Sequence, residues 1–222
     1  MSKKLHSTML RMLHPGRILG VLLGLAGSTF HAAATPVTVQ EIGLDSYEVV
    51  QMTSSTLGTH WVYAGTLDLL VNGNATQGFC IDPFHWSITG PQQYNTEPLA
   101  AGPKDPVNGM GPVKATQIEQ LWAQYYSANM SNQDAAGLQI AIWEIVGGSG
   151  FQLNSGNDYG ASSMLAWVID HPQAPAANLI AVTGRGQDYV IPNVPDAGET
   201  IVLLGMGLAG IALMRKQVLK KA

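Results

Sequence analysis

The sequence predicts an α+β fold, a β-sandwich or barrel-like sheet with an inserted helical subdomain. Three observations carry that expectation. Alternating and β-branched runs fill Thr35 to about Ile81, two well-delimited helical patterns follow between Gln117 and Gly148, and short β-branched runs return at Leu179 to Val182 and Tyr189 to Ile191. Strands, then helices, then strands within one chain place the helices as an insertion in a sheet.

Taken in order, Val37, Val39 and Ile42 alternate with polar residues, Tyr47 to Met52 is β-branched and aromatic, and Trp61 to Val71 is a longer mixed run. Asn72-Gly73 predicts a two-residue hairpin turn, because both residues tolerate the positive φ such a turn needs. Its second strand runs toward Cys80. From Asp82 to Val113 the chain carries Pro83, Pro91, Pro98, Pro103, Pro106 and Pro112, which predicts a long loop without a regular element of length. His85 and Trp86 lie in that loop, close enough in sequence to cover Cys80.

Thr116 with Glu119 three residues on reads as a capping box, and Ile118, Leu121, Trp122 and Tyr125 recur at helical spacing, so a helix is predicted over 117–127. A second helix starts at Ser131 or Asn132, carries Asp134 in its first turn and stops at Gly147-Gly148. In it Gln139 shares a face with Ala135, Ala136, Ile142, Trp143 and Val146, so an amide points toward apolar material. After a Gly, Asn and Ser-rich loop, a shorter helix near 163–169 is stopped by His171-Pro172.

The ends read as processing segments. Met1 to Arg17 holds Lys3, Lys4, Arg11 and Arg17 without an acid, Ile18 to Phe30 is apolar and small, and Ala32-Ala33-Ala34 is a cleavage pattern. Residues 1–34 are thus expected to be a signal peptide, 35–193 the exported domain, and 194–222 a sorting segment with a short transmembrane stretch. The last of these combines Val194-Pro195-Asp196-Ala197-Gly198, the uncharged run Thr200 to Met214, and the basic residues Arg215, Lys216, Lys220 and Lys221. Between Thr35 and Asn193 only Lys104, Lys114 and Arg185 are basic. An acidic body this poor in lysine excludes a phosphate-binding face, so no nucleic acid partner is expected. Cys80 is the single cysteine, so an internal disulfide is impossible even in an oxidising compartment.

Alone, Gln139 reads as an amide satisfied by nearby backbone and Cys80 as a small buried hydrophobe. Together they fit another chemistry, in which a thiolate attacks a side-chain amide, ammonia leaves, and an internal thioester joins a strand to a helix.

Phe79-Cys80-Ile81-Asp82 followed by Leu138-Gln139-Ile140-Ala141-Ile142-Trp143 resembles the thioester domains of bacterial surface adhesins, marked by a cysteine after an aromatic residue and a Gln-x-Ala-Ile/Val-Trp helix motif. Leu138 stands where adhesin versions commonly have Thr. The resemblance implies a Cys80–Gln139 cross-link that captures an amine of a surface protein or matrix component, a single-turnover binding event and not enzymatic turnover, with no cofactor and no metal. Phe79 and Trp143 would exclude water, and Asp82 or His85 would move protons. The C-terminal segment resembles the VPDSG-type sorting signals of exosortase systems in Gram-negative bacteria, with Ala197 where that pattern has Ser. It implies an exosortase-type processing enzyme as a partner, transient anchoring in the inner membrane, and a destination at the cell surface, outer membrane or extracellular matrix.

Two other classes compete. A cysteine hydrolase would use His60, His85 or His171 as base, but no nucleophile-elbow pattern or metal-type cluster accompanies them. A non-covalent matrix or carbohydrate-binding β-domain would stack sugars on Trp61, Trp86 and Tyr94, provided these rings are exposed.

Overall fold

The computed structural model describes residues 34–103 and 110–194. The predicted signal peptide, the apolar run Thr200 to Met214 and Pro195 to Gly198 of the sorting motif lie outside the described residues. Seven strands form one antiparallel sheet: β1 (Thr35–Ser54), β2 (Gly58–Val71), β3 (Asn74–Cys80), β4 (Gln92–Pro98), β5 (Phe151–Leu153), β6 (Leu179–Thr183) and β7 (Tyr189–Pro192). Their order is β2-β3-β7-β6-β4-β1-β5, and β1 also pairs with β2. That additional pairing closes six strands into a ring, so the barrel-like form of the expected sheet is the one present, with β5 appended to the far end of β1. Closure satisfies strand edges that an open sheet would leave exposed.

The long first strand makes closure possible. Thr35 to Val39 pairs with β4 on one side, and Val39 to Ser54 pairs with β2. Register shifts between Glu41 and Gly43 and between Leu44 and Tyr47 bend it, as bulges do. The two runs expected as separate strands are therefore one strand. The Asn72-Gly73 turn forms as predicted, with φ of +50° and +81°.

The predicted structureless stretch after Asp82 requires correction. Gln92–Pro98 is a full member of the ring, pairing with β1 and β6. Pro91 precedes this strand and Pro98 ends it, so neither proline removes a hydrogen bond from its interior. The first helix, α1 (Gly111–Tyr125), begins before the capping box. Gly111 at φ +76° and Pro112 in the first helical turn open it, no side chain caps it, and Thr116 lies inside. Helix α2 (Asn132–Gly147) is as expected: Ser131 Oγ accepts from the Asp134 N–H, and Gly148 at φ +48° ends the helix. A third helix, α3 (Ala161–Asp170), follows the short strand β5.

Helix α2 packs on β1 and β2 on one side and on α1 and α3 on the other. Every residue from Ala135 to Trp143 is buried. A helix that is apolar nearly all round belongs inside a molecule. At Gly137 a Cβ would sit 2.2 Å from the Tyr159 carbonyl oxygen, so the loop before α3 closes directly onto the helix backbone. Ile140, Leu138, Ile118 and Leu121 join Val50, Leu69 and Ile81 in one core.

Candidate functional site

The site forms where β3 ends against α2. Ile81 donates to the Asp188 carbonyl oxygen of the neighbouring chain segment at 3.0 Å. Alternation along an antiparallel strand then turns the N–H and C=O of Cys80 away from β7. On that side β2 no longer offers a partner, because its pairing with β3 ends at Leu67 with Gly78 and Gly65 pairs with Tyr47 of β1. The carboxamide of Gln139 takes the vacant place. Its Oε1 accepts from the Cys80 N–H at 3.0 Å and its Nε2 donates to the Cys80 carbonyl at 2.7 Å. Gln139 is 1% exposed, so both of these backbone groups are paired in a dry setting by a single side chain. The carbonyl carbon between the two bonded atoms is thereby held beside the main chain of Cys80.

The thiol of Cys80 is buried and shares a sheet face with Tyr189, its cross-strand partner. Sγ accepts from the Asp82 N–H at 3.3 Å and donates to the Asp82 carbonyl at 3.4 Å. Burial pushes the thiol well above its ordinary pKa, and the Asp82 charge adds to the effect, while the Trp143 indole and the Asp82 N–H oppose it. Burial thus favours the protonated form of the free thiol. Trp143 follows Gln139 by one helical turn and is itself buried, with its ring packed at 5.8 Å from Phe151. Its Nε1–H lies near enough to Cys80 to favour the thiolate, yet has no acceptor in hydrogen-bonding geometry.

Asp82 is buried and its carboxylate is anchored on both oxygens. Oδ1 accepts from the Phe84 N–H at 3.0 Å, and Oδ2 meets His85 Nδ1 at 2.7 Å. Burial raises its pKa, and these contacts hold it partly down. The His85 side chain is 40% exposed, so the pair runs from the buried turn to the surface.

Phe79 is placed differently from its expected role. Successive side chains on a strand point to opposite faces. Its ring packs edge-on against Trp122 and Tyr126, on the face opposite the thiol, and fastens β3 to α1. Trp86, expected over Cys80, instead meets His60 ring to ring at 5.1 Å and is half exposed. His60 and His171 are bound to the Leu57 and Trp167 carbonyls, and His171 stacks on the Trp167 ring. The hydrogen bonds of the Cys80 sulfur run to the Asp82 main chain, and His85 reaches this turn through the Asp82 carboxylate.

Sequence reasoning missed Asp188, Tyr189 and Glu41. Asp188 is buried, accepts from the Gly184 N–H at 2.9 Å and fixes the turn before β7. Tyr189 has its hydroxyl 3.4 Å from Glu41 and its ring beside Tyr94, and burial raises its pKa. Nothing local marks these residues, since they meet only through ring closure. The surface groove of about 590 Å³ lined by Glu97, Leu99, Thr116, Glu119 and Asn193 contains none of the predicted site residues. Among the described residues no group of His, Cys, Asp and Glu is arranged to hold a metal ion.

Residues 193–218 match the VPDSG-CTERM motif. The chain is similar to the N-terminal thioester domain of a surface protein from Clostridium perfringens, at 14% identity and a TM-score of 0.42, covering 71% of this chain and 98% of that one. No curated protein matches. The sorting motif makes this an exported protein destined for anchoring at the cell surface. Among the described residues no helix is long and apolar enough to cross a membrane, and the C-terminal apolar run lies outside them.

Proposed function

We propose that residues 35–193 form an exported domain carrying an internal Cys80–Gln139 thioester, which captures an amine on a partner surface. The observation that carries this reading is the reciprocal, buried pairing of the Gln139 amide with the Cys80 backbone. It brings the acyl group to the residue that owns the nucleophile, in surroundings that protect a thioester from water. In bond formation sulfur adds to the amide carbon, the carbon–nitrogen bond breaks, and the thiol proton leaves with nitrogen as ammonia. In capture an incoming amine, such as a lysine of a surface or matrix protein, takes the acyl group and the thiol is regenerated. The Asp82 main chain brackets the sulfur and the Asp82 carboxylate bonds His85, so in this reading that pair would carry the proton between the buried turn and the surface.

The C-terminal motif supports export followed by processing by an exosortase-type enzyme, with the apolar run as a transient inner-membrane anchor and a Gram-negative surface or matrix as the destination. Intact mass of the secreted domain tests the reading. The wild type is expected to fall short of its sequence mass by one ammonia, and Cys80→Ala and Gln139→Ala to show their full masses. A full-mass wild type whose thiol alkylates freely would sink the thioester, since a glutamine that only staples α2 to β3 makes the same hydrogen bonds.

A second reading has its own observation. On the outer face of β1 and β2, Trp61 and Tyr63 are 65% and 58% exposed, and Tyr63 lies edge-on to Tyr47. Such rings suit non-covalent stacking on sugars, although Tyr94 is buried and takes no part. Retention on a polysaccharide column that Trp61→Ala abolishes would support this role.

A further inference from the structure

Trp143 Nε1 is the one buried side-chain nitrogen or oxygen without a hydrogen-bond partner among the described residues. An unpaired buried donor is costly and calls for an explanation. Its position narrows the choices. Gln139 and Trp143 are four residues apart on α2 and share a face, so the indole stands next to the carboxamide that is bonded to Cys80. The ring is held by packing on Phe151, and the site is dry.

We propose that the Trp143 indole N–H is a catalytic donor for amine capture, reserved for the negative charge that develops on Cys80 Sγ as the thioester opens. The inference rests on the thioester reading. The neutral amine adds to the acyl carbon, the carbon–sulfur bond breaks with its electron pair going to sulfur, and the indole N–H bonds the emerging thiolate. The new amide nitrogen gives up one proton, which ends on sulfur, so that one amine and one thioester become one amide and one thiol. A neutral thioester sulfur is a poor acceptor, so the donor finds its partner chiefly in the charged arrangement. An interaction stronger in the transition state than in the ground state is what accelerates a step. The indole's opposition to the upward shift of the Cys80 thiol has the same origin.

The test is the rate of methylamine incorporation by the secreted domain, followed by intact mass. Trp143→Phe keeps most of the ring and removes the donor. It should retain the missing-ammonia mass and capture methylamine more slowly by on the order of tenfold, below the usual loss for an oxyanion donor because sulfur is the weaker acceptor. Replacing all tryptophans by a ring-fluorinated analogue makes the N–H more acidic without changing its place, and should speed capture in the wild type but not in Trp143→Phe. This second measurement uses the wild-type chain and stands even if Trp143→Phe fails to fold. Equal rates for wild type and Trp143→Phe, or a wild-type rate indifferent to fluorination, would overturn the proposal and leave Trp143 as packing while the thioester stands. Absence of the mass deficit in the wild type overturns both, and the mass alone tells the two failures apart.

Discussion

The junction of α2 with β3 and the outer face of the β1–β2 ribbon are both built around tryptophan, and they differ in every other respect. At the junction Trp143 is buried, the neighbouring amide is paired on both its atoms, and α2 is covered on two sides. On the ribbon Trp61 stands in solvent, beside Tyr63. The ribbon can change without disturbing the core, whereas the junction connects the helical insertion to the ring. Chemistry that needs a dry site belongs to the first region, and contact with a large partner belongs to the second.

The contrast is sharpened most by separating the hydrogen bonds at the junction from the proposed covalent link. Cys80→Ala removes any thioester but keeps the backbone groups that Gln139 satisfies. Gln139→Ala removes the link and also leaves a buried N–H and a buried C=O without partners, at roughly 1–3 kcal/mol each. Urea unfolding should therefore find Gln139→Ala less stable than Cys80→Ala by about 2–6 kcal/mol. Equal stabilities would mean that α2 is held to the ring without help from the amide.

A smaller effect comes from buried carboxyls. Desolvation raises the pKa of Asp82, Glu41, Glu119 and Glu144 in the folded chain. Between the usual carboxylate value and the raised one, the folded state holds more protons than the unfolded state. Stability is then lost as pH rises through that window and regained on acidification. Asp158 acts in the opposite sense, because hydrogen bonds from Ser162 and Gly160 lower its pKa and its share is lost as pH falls. With the raised groups in the majority, the urea midpoint should increase as pH is lowered from neutrality toward the upper edge of the carboxylate range. A midpoint that declines steadily over that interval would contradict this balance.

The smallest effect is expected on the ribbon. Trp61→Ala should change the unfolding free energy by no more than about 0.5 kcal/mol, as for surface substitutions generally. A loss of several times that size would show that the exposed ring supports the fold, and would end the distinction between the two regions.

Much of the fold was legible because its signals are local. Asn72-Gly73 needs only its own positive φ values, Ser131 caps its own helix, and His171-Pro172 stops α3 without outside help. Strand β4 was hidden because its prolines suggest a loop, and only its neighbours β1 and β6 show that they fall at its ends. The start of α1 is not legible locally, because Thr116 and Glu119 fit a capping box equally well inside a helix that Pro112 has already begun.

The site divides along the same line. By itself the sequence determined a lone cysteine near a strand end, an amide on an apolar helix face, a lysine-poor body and the C-terminal sorting motif, because residue type and spacing along the chain are enough for each. Tertiary structure alone decided that Gln139 meets the backbone of Cys80, that Phe79 faces away from the thiol, and that the Trp143 N–H is left unpaired in the buried junction. The reason is physical: these facts depend on where β2 leaves β3 and on how α2 lies across the ring. Contacts between segments 59 residues apart are set by packing, which no local pattern encodes.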